Sequence, residues 1–142
     1  MNDLEKAIKL AGEVHRNQLD KGGTPYILHP LRLMLQMEEE AEMIAAVLHD
    51  VVEDTDLEVE DLRQRGFPEE AVEAIECLTK REGEDYDTFI SRVEKNPLAA
   101  KVKIADLRDN MNMERIPEVG PGDLKRLARY HRALNRLKRI KS

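Results

Sequence analysis

The stretch Ile44-Ala45-Ala46-Val47-Leu48-His49-Asp50-Val51-Val52-Glu53-Asp54-Thr55 decides the reading of this chain. It opens as an apolar run with no polar face, and a helix that is apolar all round is normally buried. It closes on one imidazole and three carboxylates: His49, Asp50, Glu53 and Asp54. Buried carboxylates are costly unless they are paired or bound to a metal. On a helix, Asp50, Glu53 and Asp54 fall at i, i+3 and i+4 and share a face. His49 and Asp50 point roughly 100° apart at about 3.6 residues per turn, yet one cation beyond the helix surface can touch both. The plain alternative is an acidic last turn that reaches solvent, but such a turn opposes the helix dipole. A positive group is therefore expected beside it. One imidazole with carboxylates suits Mn²⁺, Fe²⁺ or Zn²⁺ better than Ca²⁺. Further ligands must come from elsewhere, and His15 and Asp106 each lie within or beside an apolar helical face. His29 is a rival, but it precedes Pro30 at a helix start and is read as capping or structural.

The other 130 residues bound the answer. A chain of 142 residues has room for one domain with a real core. Aromatic residues make up 4% of it and Trp is absent, so the core must rest on Leu, Ile, Val, Ala and Met. That composition suits helix packing better than a β-sandwich. The longest apolar run is too short to span a bilayer, and the N-terminus lacks the basic start and apolar centre of a signal peptide. Cys77 is the only cysteine, which excludes an internal disulfide. A cytoplasmic protein with no membrane contact is expected, and Cys77 is read as inert core. The formal net charge is -6, although the segment from Asp123 onward carries eight Lys/Arg and one acid. The acidic body argues against general nucleic-acid binding.

Periodicity and caps predict helices throughout and no strands. The first covers about residues 2–19 and ends at Gly22-Gly23-Thr24-Pro25. The second starts near Pro30, and the third holds the central stretch. Short helices follow over Leu57–Arg65, after Phe67-Pro68, and over Asp85–Glu94. Asn96 and Pro97 read as N-cap and first residue of the next. A basic last helix spans about 122–141, with Leu127, Tyr130, Leu134 and Leu137 as its apolar stripe. Its Lys and Arg are read as a solvated face with stems on apolar surface. Steering of an anionic substrate, or contact with an acidic partner such as a second copy, is the functional alternative. The fold class is all-α, with seven or eight helices in one domain over 1–142.

Several ordered motifs make the chain resemble the HD-domain metal phosphohydrolases. It is closer still to the hydrolase domain of the RelA/SpoT proteins and their small single-domain relatives, which degrade the alarmone (p)ppGpp. The motifs are His15-Arg16-Asn17-Gln18, Gly23-Thr24-Pro25-Tyr26-Ile27-Leu28-His29-Pro30, Ala45 to Thr55, Leu78-Thr79-Lys80, and Val102-Lys103-Ile104-Ala105-Asp106 with Asn110. The resemblance implies an HD-domain helical bundle with Mn²⁺ held by His15, His49, Asp50 and Asp106. Zn²⁺, Fe²⁺ and Mg²⁺ are the alternative ions. It implies that Glu53 and Asp54 handle the attacking water, and that Lys21, Lys103, Asn110 and Tyr130 line the substrate pocket. Tyr130 reads equally as a core aromatic. Asp20 stands where the family carries an Arg that packs on guanine, so guanidinium stacking is lost. The implied activity is (p)ppGpp 3′-pyrophosphohydrolysis. A hydrolase of another nucleotide or phosphate ester is the alternative, and a non-catalytic metal- and nucleotide-binding module the second.

Overall fold

A computed structural model of the chain describes residues 1–139. Among them are nine α-helical segments: α1 (Asp3–Val14), α2 (Leu28–Leu35), α3 (Glu40–Leu48), α4 (Val51–Asp54), α5 (Val59–Gln64), α6 (Glu69–Leu78), α7 (Tyr86–Glu94), α8 (Pro97–Asn110) and α9 (Pro121–Arg139). They make eight helices if α4 is taken as the continuation of α3. A 3₁₀ turn at Met113–Arg115 links α8 to α9. The expected end of the last helix at Lys141 lies outside the described residues. The described residues hold no strand, only an isolated antiparallel bridge between Leu19 and Pro25.

The apolar run predicted to be buried is the centre of the bundle. Ile44, Ala45, Ala46, Val47 and Leu48 of α3 are fully buried, against α1, α2, α6 and α8. Small Ala45 and Ala46 let those neighbours approach. Lys101 Nζ binds Glu42 Oε1 at 2.9 Å and ties α8 to the start of α3. The local signals behave as their chemistry dictates. Asn2 and Glu5 form a capping box on α1, the Asp85 side chain caps α7, and Asn96 caps α8 with Pro97 at its first position.

Two expected boundaries move. The first helix stops at Val14 rather than near 19, because Asn17 takes a left-handed φ of 67°. The chain then turns into a loop closed by Tyr26 N–H on the Gln18 carbonyl at 2.8 Å. The central helix does not run unbroken through Asp54. The Ala46 carbonyl, which the Asp50 N–H meets in a continuous helix, instead receives the His49 ring at 2.7 Å. The helix breaks at His49 and Asp50, then resumes for one turn as α4.

Candidate active site

That break aims His49 at the groove between α3 and α8. Its Nδ1–H donates to the Ala46 carbonyl, which leaves Nε2 as the ring nitrogen turned toward the carboxylates. Nε2 is buried without a hydrogen-bond partner. It lies 3.1 Å from Asp50 Oδ2 and 3.4 Å from Asp106 Oδ1. His29, in the first turn of α2, reaches the same place. Its Nδ1 meets Asp109 Oδ2 at 2.6 Å and its Nε2 meets Asp106 Oδ1 at 2.9 Å. Asp106 is further held by Lys103 Nζ at 2.9 Å and Asn110 Nδ2 at 3.1 Å. The Tyr26 hydroxyl donates to Asp50.

One nitrogen or oxygen each from His29, His49 and Asp50 lie within 4.8 Å of one another. Two imidazole nitrogens with carboxylates fit a borderline divalent cation. In both histidines an acceptor fixes Nδ1 and turns Nε2 toward the cluster, as outer partners of metal-binding histidines do. The orphaned His49 Nε2 is the observation that fits a cation here: a buried polar atom left without a partner is otherwise costly.

The acids divide into two classes. Burial opposes the charge on Asp106, but the Lys103 ammonium and the His29 hydrogen bond outweigh it and hold its pKa well below the carboxylate range. Burial likewise opposes Asp50, and the charge of His49 beside it brings its pKa down to about 2. Glu53 and Asp54 go the other way. Burial raises Glu53 against a 2.5 Å hydrogen bond from the Lys80 N–H. Burial and the neighbouring Asp50 charge raise Asp54. One pair is thus held toward the charged form, while the pKa values of the other lie above the usual carboxylate values.

Two cavities meet at Asn110 and Tyr130. The cluster side, about 470 Å³, is lined by His49, Asp50, Glu53, Lys103 and Asp106, with Lys80, Tyr86 and Arg129 opposite. The loop side, about 310 Å³, includes Asp20, Lys21, Tyr26, Arg32, Asp109 and Arg126. Of the expected substrate residues, Lys103, Asn110 and Tyr130 line the cluster side. Lys21 lines only the loop side, 3.7 Å from Asp123. Tyr130 is half-buried, so it belongs to the groove wall as well as to the core margin. Asp20 Oδ1 accepts from the Gly22 and Thr24 N–H groups at 2.9 Å each and shapes the loop.

Of the expected ligands, the structure brings His49 and Asp50 together, with Asp106 Oδ1 3.4 Å from His49 Nε2. His15 is buried, and its Nε2, like that of His49, has no hydrogen-bond partner, but its Nδ1 faces Gln18 Oε1 at 3.0 Å and Asp54 Oδ2 at 4.0 Å and it lies outside the group of His29, His49 and Asp50. His29 is the histidine the structure adds to that group. Reading His29 as structural missed what only packing shows: Asp106 and Asp109, one turn apart on α8, offer a carboxylate to each of its ring nitrogens. Tyr26 and Asp109 were also missed as supports of the site.

Residues 7–108 match the HD domain family. The guanosine-3′,5′-bis(diphosphate) 3′-pyrophosphohydrolase of Aquifex aeolicus is 33% identical over 121 residues, 77% of this chain and 17% of that protein. The GTP pyrophosphokinase of Streptomyces coelicolor is 32% identical over 128 residues, 81% of this chain and 15% of that protein. The chain therefore spans about a sixth of the length of these curated relatives. The solved structure of a metazoan ortholog of SpoT that hydrolyses ppGpp superposes with a TM-score of 0.79 at 22% identity, covering 96% of this chain and 85% of that one. At that identity the likeness is one of fold.

Proposed function

The chain belongs to the HD domain family, and from that premise we propose that it is a divalent-metal-dependent phosphohydrolase that removes the 3′-pyrophosphate of (p)ppGpp. The observation that carries this reading is the convergence of His29, His49 and Asp50 beside Asp106, with the two raised carboxyls of Glu53 and Asp54 next to it. Similarity to a pyrophosphohydrolase named for that substrate supports the substrate class.

His29 Nε2, His49 Nε2, Asp50 and Asp106 would hold the cation, with Mn²⁺ the proposed ion. When bound, a divalent ion lowers the pKa of water and offsets charge on phosphoryl oxygens. Glu53, fixed by the Lys80 N–H, or Asp54 takes a proton from the attacking water. The water oxygen bonds to phosphorus as the bond to the ribose 3′-oxygen breaks. The same carboxyl returns the proton to that 3′-oxygen, leaving a 3′-hydroxyl and pyrophosphate. Lys103, anchored on Asp106, faces the charge that grows on the phosphoryl group. The nucleoside takes the loop-side cavity.

Asp20 favours a second reading, in which the same chemistry acts on another nucleotide. Its carboxylate is committed to the loop and offers a base neither a cation nor a planar stacking surface. A binding module without turnover does not need the Glu53 and Asp54 pair. The test is pyrophosphate release with added Mn²⁺, from ppGpp and a panel of nucleotides, with His49→Ala as control. Release from ppGpp that the variant lacks supports the first reading. Release only from another nucleotide moves the substrate. Silence with metal bound removes both enzymatic readings.

A further inference from the structure

Tyr86 opens α7 directly after its cap, Asp85. Its ring stands edge-on to Phe89, with centroids 6.1 Å apart. The Arg129 guanidinium lies over the same ring, 4.8 Å from its centroid. The ring is therefore held by packing, yet its hydroxyl is buried with no hydrogen-bond partner. Phe would pack in the same place without that penalty. Tyr86 lines the cluster-side cavity, whose wall here carries Lys80, Lys103 and Arg129, and also borders a neighbouring cavity with Arg132 and Arg136.

The acids in this part of the wall are already engaged. Glu84 pairs with Arg92 at 2.7 Å, Asp85 accepts from the Thr88 N–H at 2.7 Å, and Glu53 accepts from the Lys80 N–H at 2.5 Å. Around the phenol the wall carries the cations Lys80, Arg129 and Lys103, the last already paired with Asp106 at 2.9 Å. Their complement is a polyanion with many acceptors and no donor, which describes phosphoryl oxygens.

On the reading that this cavity handles a phosphate ester, we infer that the Tyr86 hydroxyl donates to a non-bridging oxygen of the departing pyrophosphate, making Tyr86 a substrate-binding residue beside Lys103 and Arg129. The ring packing presets the donor, so little side-chain freedom is lost on binding. Burial also raises the pKa of the phenol, against the nearby Lys103 charge, and keeps it a donor at neutral pH.

The test uses the full chain with Mn²⁺ and compares wild type with Tyr86→Phe. Three quantities are read: calorimetric affinity for inorganic pyrophosphate, kcat/KM for (p)ppGpp, and thermal midpoint. The expected result is a loss of about tenfold or more in pyrophosphate affinity, as for a hydrogen bond to a charged group, with a thermal midpoint unchanged or raised. Arg129→Gln, at an exposed position, should weaken the same affinity. Affinity and kcat/KM equal to wild type in Tyr86→Phe would overturn the inference and leave the hydrolase reading standing. A midpoint lowered by several degrees would make the hydroxyl structural and also overturn it. A wild type that neither binds pyrophosphate nor hydrolyses (p)ppGpp would sink both.

Discussion

The two cavities that meet at Asn110 and Tyr130 treat their polar groups in opposite ways. On the loop side, the charged side chains are paired with one another. Arg32 and Arg115 both bind Asp109, and Arg126 and Lys21 both face Asp123. Asp20 is used up by loop amides. On the cluster side, His49 Nε2 and the Tyr86 hydroxyl are buried with no partner, and Asp50 and Asp106 lie 3.1 and 3.4 Å from that imidazole nitrogen. Paired groups on one side hold a shape. Unpaired groups on the other are held ready for what binds there, His49 by its ring bond at the end of α3 and Tyr86 by its ring packing at the start of α7. Substitutions in the group of His29, His49 and Asp50, whose His29 also lines the loop-side cavity, should therefore remove chemistry, while those elsewhere on the loop side should loosen binding.

The largest effect is expected from His29→Ala. It should lower Mn²⁺ affinity by about 100-fold or more, since loss of an outer partner alone costs about 10- to 100-fold, and activity should vanish with the metal. His15→Ala should leave Mn²⁺ affinity at the wild-type value. Titration of both variants with Mn²⁺ decides between the two histidines, and a reversed result restores His15 to the ligand set. Next comes Glu53→Gln. It should bind Mn²⁺ as wild type does and lose about 10²- to 10⁴-fold in kcat, the range of a lost general base. Wild-type kcat in that variant would pass the role to Asp54.

The loop side breaks differently. A Cβ on Gly22 would sit 2.2 Å from the backbone oxygen of Arg115, so only glycine allows the loop to lie against the 3₁₀ turn. Gly22→Ala must push the two apart, at about 1–3 kcal/mol of stability for an overpacked contact. It should raise KM and leave Mn²⁺ affinity alone. A loss of metal in Gly22→Ala would show that the two cavities are not separable in this way.

The same contrast explains what could be read from the residues alone. Local features were legible: the all-apolar Ile44 to Leu48 announced the buried helix, and Asn96 with Pro97 announced the start of α8. The helical turn that carries Glu53 and Asp54 was legible too, although it follows a break at His49 and Asp50. The break after Leu48 was not, since it depends on a side chain taking a carbonyl from its own backbone. The place of His29 was hidden for another reason. Its partners, Asp106 and Asp109, are 77 and 80 residues away, and only the packing of α2 on α8 brings them to one ring. The same holds for Asp20, whose residue type drew attention to the base while its bonds go to the loop.

The smallest effect sharpens the comparison from within the cluster-side wall. Glu84 lines that cavity but is paired as thoroughly as any residue on the loop side. Arg92 binds it at 2.7 Å and also donates to the carbonyls of Glu76, Cys77 and Thr79, where α6 ends. The Arg92 hydrogen bond, with a backbone N–H from Arg81, lowers the Glu84 pKa from 4.5 to about 2. A depressed carboxyl stabilises the fold above its unfolded value and loses that contribution as pH falls through its folded value. The thermal midpoint of wild type should therefore exceed that of Glu84→Gln by a constant margin at neutral pH. That margin should shrink below pH 4.5 and close near pH 2. Other acids titrate in both proteins and cancel in the difference. Arg92→Lys keeps the charge but cannot span the three carbonyls, and should cost about 1 kcal/mol, the net worth of a hydrogen bond, with kcat unchanged. If Arg92→Lys instead lowers kcat at wild-type stability, Glu84 acts on the substrate, and pairing does not by itself mark a residue as holding shape.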